Sequence, residues 1–499
     1  LLPIHHPLES WRDTAPRPGV RGLGQPVMQP VFESRPLGDL LIDSASKVGA
    51  RLPWSDTAAA VKAEWLVLGS NAKPKSKSSP QDSGSGQDDF WTTARREGGL
   101  FDSVKASDVR PRLESLTKPK PSPAAPKTVF LAYPHIFLGD GRGADKPWLQ
   151  EMPEPLSQIV WDSWAAIHPD TANELGVKRD AVISIRSEHG IVQAPAYVTP
   201  TVHRGVIAMP FGQGHRAYGR YAKDRGANPW AILAPGAFSI AVEAKATGDM
   251  RRLVTPTSSE NGMMGRSIVE AISIEDLARG VFPAQEPLAP EPYEMYAPFQ
   301  YPKHKWGMTI DVNACIGCSA CVAACYAENN VPVVGQEVVS QGRVMSWIRI
   351  ERFFPSPQEQ PAPQLFLTPM MCQQCDHAPC EPVCPVFASY HTNEGLNGQI
   401  YNRCVGTRYC ENNCPYKVRR FNFYLPEWPE PLNLQLNPDV TVRGAGVMEK
   451  CTFCVQRIQY AELNALTEGR PVRDGEIVPA CAQACPTRAI TFGDIKDPQ

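Results

Sequence analysis

The first 314 residues of the chain contain no cysteine, and all fifteen cysteines lie between Cys315 and Cys485. Disulfides therefore cannot cross-link the N-terminal part of the chain. No apolar run reaches the length of about 18 residues that a membrane helix needs, so any membrane contact is expected to go through a partner protein. The C-x-x-C-H motif that attaches haem does not occur in the sequence, so no haem is expected on this chain.

The chain also lacks an excess of either charge, with 50 Lys and Arg against 52 Asp and Glu. The resulting net charge of -2 provides no field to attract nucleic acid, so no nucleic-acid partner is expected. The sequence begins at Leu1 without a charged and apolar leader, so we expect processing or truncation to have removed its start. At 499 residues the chain is too long for one hydrophobic core and should form two or three domains.

Proline is abundant, at 50 residues, and it marks the connections between domains. Two low-complexity segments, 70–89 and 118–127, cannot bury enough apolar surface to fold and are predicted to be linkers. They lie within a region, 1–127, that is expected to be the remnant of a larger domain. The remaining predicted segments are a barrel domain (128–249), a linker (250–305) and a cysteine-rich domain (306–499), which together make an α+β multidomain fold.

Short β-type runs separated by turn residues predict that the barrel is compact and mostly antiparallel. The predicted strands are 129–132, 181–186, 193–198 and 206–209, with one helix over 171–175.

Four short sequences in the barrel region are WLQE (148–151), IHP (167–169), GQGH (212–215) and YGR (218–220). Through them the region resembles the C-terminal barrel domain of molybdopterin-dependent oxidoreductases, which closes over a pterin. GQGH by itself is a turn, in which His215 is a hydrogen-bonded loop residue rather than a ligand. The upstream domains that hold the metal in that family have no counterpart here, so no bound molybdopterin is expected. The absence of cysteine from residues 1–314 excludes only a cysteine ligand to molybdenum, and it does not exclude a serine or aspartate ligand.

The cysteines fall into four short groups, three of which have four members. Group one is Cys315, Cys318, Cys321 and Cys325. Group two is Cys372, Cys375, Cys380 and Cys384. Group three is Cys404, Cys410 and Cys414. Group four is Cys451, Cys454, Cys481 and Cys485. Closely spaced thiolates on a tight loop can bind three corners of a cubane, while the fourth cysteine reaches a different cluster in two-cluster ferredoxins. Four groups therefore predict two ferredoxin-like pairs and four iron–sulfur clusters.

Two other uses of cysteine fit the spacing less well. Zinc sites also use C-x2-C pairs, but zinc takes four ligands from two pairs, which does not account for triplets followed by C-x3-C-P. Disulfides suit a secreted chain, but cysteines separated by only a few residues suit thiolate ligation better.

The grouping resembles that of four-cluster ferredoxin subunits, in which group one pairs with group four and group two with group three. The resemblance implies three sets of four ligands and one set of three. The first is Cys315, Cys318, Cys321 and Cys485. Another is Cys325, Cys451, Cys454 and Cys481. The next is Cys372, Cys375, Cys380 and Cys414. The last is Cys384, Cys404 and Cys410.

Thr407 stands where group three would have its fourth cysteine. A threonine hydroxyl does not ionise near neutral pH and is a poor iron ligand, so the set of three is predicted to hold a 3Fe-4S cluster. The alternative is a 4Fe-4S cluster with a hydroxide or another oxygen ligand. The expected cofactors are therefore three 4Fe-4S clusters and one 3Fe-4S cluster. Loss of one iron generally raises the reduction potential, which suits the first acceptor of electrons from a quinol.

Five cations surround group three: Arg403, Arg408, Lys417, Arg419 and Arg420. They raise the potential of its cluster, dock an anionic lipid surface, or form a solvated basic face.

Several sequences around group one carry a closer resemblance: HKWGM (304–308), NACIGC (313–318), ENNVPVVG (328–335) and, far upstream, QPVMQP (25–30). Together with the barrel they resemble the iron–sulfur subunit of alternative complex III, a bacterial quinol-oxidising complex. That family joins a molybdopterin-enzyme-like half without its cofactor to a four-cluster half. This chain departs from it because most of the first half is missing.

The resemblance implies a peripheral subunit on the periplasmic side of the membrane. Its implied partners are a polytopic membrane subunit that oxidises menaquinol, and multihaem and monohaem cytochrome c subunits that accept electrons. The chain would relay electrons and would have no substrate site of its own, and the set of three cysteines would lie nearest the quinol. One alternative is the electron-transfer subunit of a molybdenum reductase of the polysulfide or sulfoxide reductase type. Another is a structural subunit whose clusters do not respond to quinol.

Overall fold

The computed structural model describes residues 4–17, 19–71, 86–101, 128–256, 268–269, 271–281, 297–354 and 365–497. The chain divides into two compact units, Leu1–Pro121 and Ser122–Gln499. The predicted linker 118–127 lies outside the described residues. So do residues 72–85 of the predicted linker 70–89, whose two ends belong to helices, and much of 250–305.

Over its described residues, the first unit contains a three-stranded antiparallel sheet and three α-helices. Their bounds are β1 Arg12–Arg17, β2 Val20–Gly24, α1 Leu37–Lys47, α2 Thr57–Asn71, α3 Gly86–Glu97 and β3 Gly99–Phe101. Trp65 and Trp91 form a small core with Leu23, and Trp11 stacks on Trp91 with ring centroids 5.6 Å apart. The sequence pattern does not predict this sheet, because β1 and β2 carry Arg, Asp, Pro and Gly in place of alternating apolar residues.

The second unit begins with the barrel region, which contains seven strands and three short helices. Their bounds are β4 Val129–Pro134, α4 Pro147–Glu151, β5 Ala165–Ile167, α5 Pro169–Leu175, β6 Ala181–Arg186, β7 Ile191–Val198, β8 Val206–Phe211, α6 Gly219–Ala222, β9 Ser239–Ala241 and β10 Glu243–Met250. A further short helix, α7, spans Ile274–Ala278.

The seven strands form one mixed sheet in the order β10-β6-β7-β5-β8-β4-β9. The pairs β4–β8 and β5–β7 are parallel and the other pairs are antiparallel. Only Val242 separates β9 from β10, so one continuous segment pairs first with β4 and then with β6. This continuity joins the two ends of the strand order, as a barrel requires. Fully buried Phe130, Ile183 and Ile207 lie in its core.

The cysteine-rich region follows, and it is built from short strands and helices linked by long loops. Their bounds are β11 Trp306–Ile310, α8 Ala320–Glu328, α9 Gln336–Ser340, β12 Arg349–Phe353, β13 Phe366–Met370, β14 Ser389–His391, β15 Asn397–Gln399, α10 Tyr409–Asn413, β16 Arg420–Phe421, β17 Met448–Glu449, α11 Val455–Thr467, α12 Ala480–Gln483 and β18 Ile490–Asp494. Short 3-10 helices span Pro7–Glu9, Pro229–Ile232, Tyr401–Arg403 and Leu432–Gln435.

The strands of this region form four two-stranded antiparallel ladders: β11–β18, β12–β13, β14–β15 and β16–β17. The β11–β18 ladder joins the start of the region to its end, so the other three ladders are enclosed between its strands in the sequence. One hydrophobic core runs through the region and includes Met152 from the segment after α4. The barrel and the cysteine-rich region therefore share buried apolar surface. No helix among the described residues is both long enough and apolar enough to cross a membrane.

Candidate iron–sulfur sites

All fifteen cysteine thiols are free. Loops that precede short helices bring them together from distant parts of the sequence. Among the described residues, no three His, Cys, Asp or Glu side chains converge closely enough to hold a single metal ion. Eleven of the thiols instead line three separate cavities, and a chemically soft donor set of this kind fits an iron–sulfur cluster.

The first thiol set consists of Cys315, Cys318, Cys321 and Cys485, which line one cavity with apolar side chains. Gly317 lies in the loop with φ +66°, and a Cβ atom there would approach the Leu367 side chain to 2.5 Å. Glycine therefore allows the tight turn between Cys315 and Cys318. Burial raises the pKa of Cys321 to about 12.

The second thiol set consists of Cys372, Cys375, Cys380 and Cys414, which line a second cavity. Burial raises the pKa of Cys375, and the other three thiols of the set add to the rise. Group two thus supplies three thiols and the last cysteine of group three supplies the fourth, as the resemblance to four-cluster ferredoxins implies.

The third thiol set consists of Cys384, Cys404 and Cys410, which line a third cavity together with Thr407. Burial raises the pKa of Cys384, but hydrogen bonds from nearby backbone N–H groups outweigh it and lower that pKa overall. One of these donors is the Ala388 N–H, 3.1 Å from Cys384 Sγ. Donors of this kind stabilise a thiolate. Thr407 lines the same cavity as the three thiols, and its place as the missing fourth ligand stays a prediction.

The fourth thiol set consists of Cys325, Cys451, Cys454 and Cys481. Burial raises the pKa of Cys325 well above its ordinary value, and the charges of the other three thiols add to the rise. The Asn329 amide donates to Cys325 Sγ at 3.5 Å and to Cys454 Sγ at 3.9 Å.

Neighbouring sets also face one another. Burial raises the pKa of three thiols, and in each case the charge of a thiol in an adjacent set raises that pKa further. The three pairs are Cys321 with Cys481, Cys451 with Cys372, and Cys410 with Cys380.

Helix α8 carries Cys321 of the first set and Cys325 of the fourth, and Gln374 of group two donates to the Cys451 carbonyl oxygen at 3.2 Å. Arg419 lines the cavity of the second set and bonds to Gln399, which lines the cavity of the third. The thiol sets therefore run in the order first, fourth, second, third. The structure thus brings together every group that the sequence predicts, and the assignment of these thiols as iron ligands stays a prediction.

The basic residues around group three divide into two kinds. Arg403, Arg408 and Lys417 are exposed, as a solvated basic face requires. Arg419, by contrast, is 1% exposed, so placing it on such a face is wrong. The sequence gives no local sign of this burial, because Arg419 lies in a run of four residues of which three are cationic.

Glu151, at the end of α4 and of the WLQE sequence, is a second group whose burial the sequence did not predict. Its carboxylate accepts hydrogen bonds from the Gly335 N–H at 2.7 Å and the Val334 N–H at 3.0 Å, just before α9. The Trp161 Nε1–H also donates to it, at 3.3 Å. Burial raises the pKa of Glu151 to about 7, even though these donors favour the ionised form. A carboxyl group of the barrel thus joins the barrel to the cysteine-rich region.

Other residues of the molybdopterin-like sequences also bond within the protein. Gln150 and Gln213 are buried and exchange side-chain hydrogen bonds at 2.7 and 3.2 Å. His215 Nε2 lies 3.3 Å from the Gly212 carbonyl oxygen, which is consistent with a hydrogen-bonded loop residue. A cavity beside it is lined by polar side chains including His215, Arg216, Asp224, Arg225 and Asn228.

Two protein-family profiles match the chain. The family described as "Molydopterin dinucleotide binding domain" matches residues 150–236, and "4Fe-4S dicluster domain" matches residues 314–388. The first match lies in the barrel, and the second begins immediately before Cys315 and ends after Cys384.

Three similar proteins are subunits of reductases or oxidoreductases. The iron–sulfur cluster-binding subunit of menaquinone reductase from Nitratidesulfovibrio vulgaris is 42% identical over 204 residues, 40% of this chain and 78% of the relative. Iron–sulfur subunit 1 of the Hdr-like menaquinol oxidoreductase from Archaeoglobus fulgidus is 37% identical over 215 residues, 39% of this chain and 73% of the relative. The B subunit of polysulfide reductase from Wolinella succinogenes is 34% identical over 197 residues, 39% of this chain and 79% of the relative.

Among solved structures, acetylene hydratase from Pelobacter acetylenicus aligns with 17% identity and a TM-score of 0.31, over 49% of this chain and 37% of that chain. These values are too low to assign any property to the present chain. The relatives that align over most of their own length, together with the two domain matches, identify the family. The protein belongs to the electron-transfer iron–sulfur subunits of molybdopterin-type oxidoreductases, and it carries a molybdopterin-binding-type domain ahead of its 4Fe-4S ferredoxin domain.

Proposed function

We propose that this chain carries electrons between a quinone site in a polytopic membrane subunit and a second redox partner, through three 4Fe-4S clusters and one 3Fe-4S cluster. The observation that carries the proposal is the continuous order of the four thiol sets. The first and fourth sets share helix α8, and Gln374 of group two bonds to the backbone of Cys451 in the fourth set. Arg419 lines the cavity of the second set and bonds to Gln399, which lines the cavity of the third. The chain would have no substrate site of its own.

When bound, iron–sulfur clusters exchange single electrons without making or breaking bonds to a substrate. The role of this chain's own residues is to hold the clusters in sequence and to keep water away from most of them. Cys325 and Cys451, in the fourth thiol set, are buried at 5% and 6% exposure. The third thiol set lies closer to solvent, since Cys384, Cys404 and Cys410 are all partly exposed.

We place the membrane partner at the third thiol set. Three apolar side chains close to its cysteines in sequence are largely exposed: Phe387 at 61%, Val405 at 66% and Tyr409 at 55%. Exposed Arg403 and Arg408 lie in the same segments. An apolar patch with cations at its edge suits contact with a membrane subunit and anionic headgroups. The chain would then be a peripheral subunit, on the periplasmic side that the resemblance implies.

The relatives favour a reductase of the menaquinone or polysulfide type, in which a molybdenum-containing catalytic subunit would be the second redox partner. A specific observation keeps alternative complex III as a second candidate: the molybdopterin-binding-type barrel is on the same chain as the ferredoxin domain. It shares a core with that domain through Met152, and its Glu151 bonds to the backbone before α9. In that case the barrel is a scaffold without pterin, and cytochrome c subunits accept the electrons.

The test is an anaerobic purification of the complex with its natural partners, followed by metal analysis and electron paramagnetic resonance (EPR). We expect about fifteen irons per copy of this chain and a 3Fe-4S signal in the oxidised state. Menaquinol should abolish that signal within turnover time. Molybdenum in the complex would select the reductase, and c-type haem would select alternative complex III. Zinc in place of iron, or clusters that do not respond to menaquinol, would contradict electron transfer.

A further inference from the structure

Arg419 is a buried cation whose hydrogen-bond partners in the described structure include no carboxylate. Its Nη1 donates to the Asn397 Oδ1 at 3.0 Å and to the Cys380 Sγ at 3.2 Å. Its Nη2 donates to the Gln399 side-chain oxygen. The side chain is 1% exposed, so bulk water does not screen its charge.

Burial of an unpaired guanidinium is strongly unfavourable, so an anionic partner is required. Glu411 is nearby but only half-buried, and Arg420, Arg408 and Lys417 all act on it more strongly than Arg419 does. The potential anion in contact with Arg419 is instead the Cys380 thiol, with its Sγ 3.2 Å from the Arg419 Nη1. Arg419 also lines the cavity of the second thiol set, together with Cys372, Cys375, Cys380 and Cys414.

The guanidinium also reaches the third thiol set. Gln399, which accepts a hydrogen bond from the Arg419 Nη2, lines the cavity of the third set with Cys384, Cys404 and Cys410. The guanidinium thus lies between the two neighbouring sets.

We propose that Arg419 is a shared counter-charge for the second and third thiol sets, which raises the reduction potentials of both clusters and thereby sets the first electron-transfer step at the quinone end of the chain. A fixed positive charge stabilises the reduced, more negative form of each cluster, and its effect is large in a site without water. Hydrogen bonds to the cysteine sulfur atoms act in the same direction. The inference rests on the cluster assignment of the proposed function.

The test compares Arg419→Gln and Arg419→Lys with the unaltered protein in EPR-monitored redox titrations of the full complex. Loss of the charge in Arg419→Gln should lower the equilibrium constant for reduction of both clusters at least tenfold, about 59 mV for one electron. Arg419→Lys keeps the positive charge and should shift the two reduction potentials by less. The clusters of the first and fourth sets serve as internal references and should change little.

Arg420→Gln is the matched control, because it removes the adjacent guanidinium. The Arg420 Nε donates to the Ser346 carbonyl oxygen at 3.1 Å rather than to a thiol. Potentials in Arg419→Gln that match those of Arg420→Gln, with all clusters present, would overturn the inference and leave the proposed function intact. A chain that binds no iron in its unaltered form would instead overturn the proposed function.

If Arg419→Gln fails to assemble its clusters, a second measurement on the unaltered protein tests whether the guanidinium contacts the cluster ligands. Pulsed EPR on protein labelled with ¹⁵N-arginine should detect coupling from arginine nitrogen to the reduced cluster of the second set and the oxidised cluster of the third. No such coupling at either cluster would exclude contact between the guanidinium and the cluster ligands, and the inference would fail.

Discussion

Thr407 is the side chain on which the proposed three-iron site of the third thiol set depends. It lines the same cavity as Cys384, Cys404 and Cys410 and is exposed. Thr407→Cys should convert the proposed 3Fe-4S cluster to 4Fe-4S, because a fourth thiolate can hold a fourth iron. We expect about one more iron per chain, loss of the oxidised-state EPR signal and slower reduction by menaquinol.

Thr407→Ser is the matched control, since it keeps a hydroxyl and changes only a methyl group. It should retain the 3Fe-4S signal and the rate of the unaltered protein. If Thr407→Cys and Thr407→Ser gave the same spectrum, Thr407 would not occupy the ligand position, and the assignment of a three-iron site would be wrong.

At this scale the sequence predicted which cysteines share a cavity, but it did not predict the surroundings of the residues between them. The spacing of Cys315, Cys318 and Cys321 is a local property that the loop itself imposes. The burial of Arg419 instead depends on Asn397 and Gln399, which reach it from a strand about twenty residues away. No local pattern contains that contact, so the sequence could not separate a buried arginine from its exposed neighbours.

At the scale of elements, the β11–β18 ladder holds the two ends of the ferredoxin domain together. Trp306 pairs with Asp494 and Ile310 with Ile490, and Cys485 thereby reaches the loop that carries Cys315 and Cys318. We therefore expect the ladder to loosen when the cluster of the first thiol set is lost.

Cys318→Ser should disrupt the cluster of the first set and loosen the chain near α12 and β18, because Cys485 loses its cluster. We expect a loss of up to about four irons per chain, faster hydrogen exchange over 480–494 and alkylation of Cys485 under native conditions. The control is Cys375→Ser in the second set, which should expose Cys414 instead. Alkylation of Cys414 in Cys318→Ser would show that the pairing of the groups is wrong.

In the barrel, the sequence predicts four strands that carry buried apolar residues and misses one that is mostly exposed. The structure has β6 over the predicted residues, and β4, β7 and β8 extend the predicted strands by two residues each. β10 was missed because it is mostly exposed and contains Glu, Lys, Gly and Asp. Its pairing with β6 is specified by the partner strand and not by an alternating apolar pattern of its own.

At the scale of the whole second unit, Glu151 is one of the buried groups that attach the barrel to the ferredoxin domain. Its carboxyl group is fully buried and bonds to the backbone of the segment before α9. Because burial outweighs these donors, the folded protein holds a proton on Glu151 until about pH 7, whereas the ordinary value is 4.5. Ionisation of this carboxyl group therefore opposes folding.

The sign of the pH effect follows from this difference. Below about pH 4.5 the group is protonated in both states, and between that value and about 7 only the folded state holds the proton. The free energy of unfolding should therefore fall as the pH rises through this window, by about 1.4 kcal/mol per unit. Glu151→Gln mimics the protonated carboxyl group in shape and hydrogen-bonding capacity and has no proton to lose.

The comparison is thermal unfolding of the unaltered protein and Glu151→Gln at pH 5.5 and pH 7. Relative to the variant, the unaltered protein should lose about 2 kcal/mol between the two pH values. Trp161→Phe should raise the pKa of Glu151 further, because it removes a hydrogen-bond donor that favours the ionised carboxylate. It should extend the loss above pH 7. Equal pH dependence in all three proteins would mean that Glu151 is ionised throughout, and that the junction of barrel and ferredoxin domain is an ordinary charged contact.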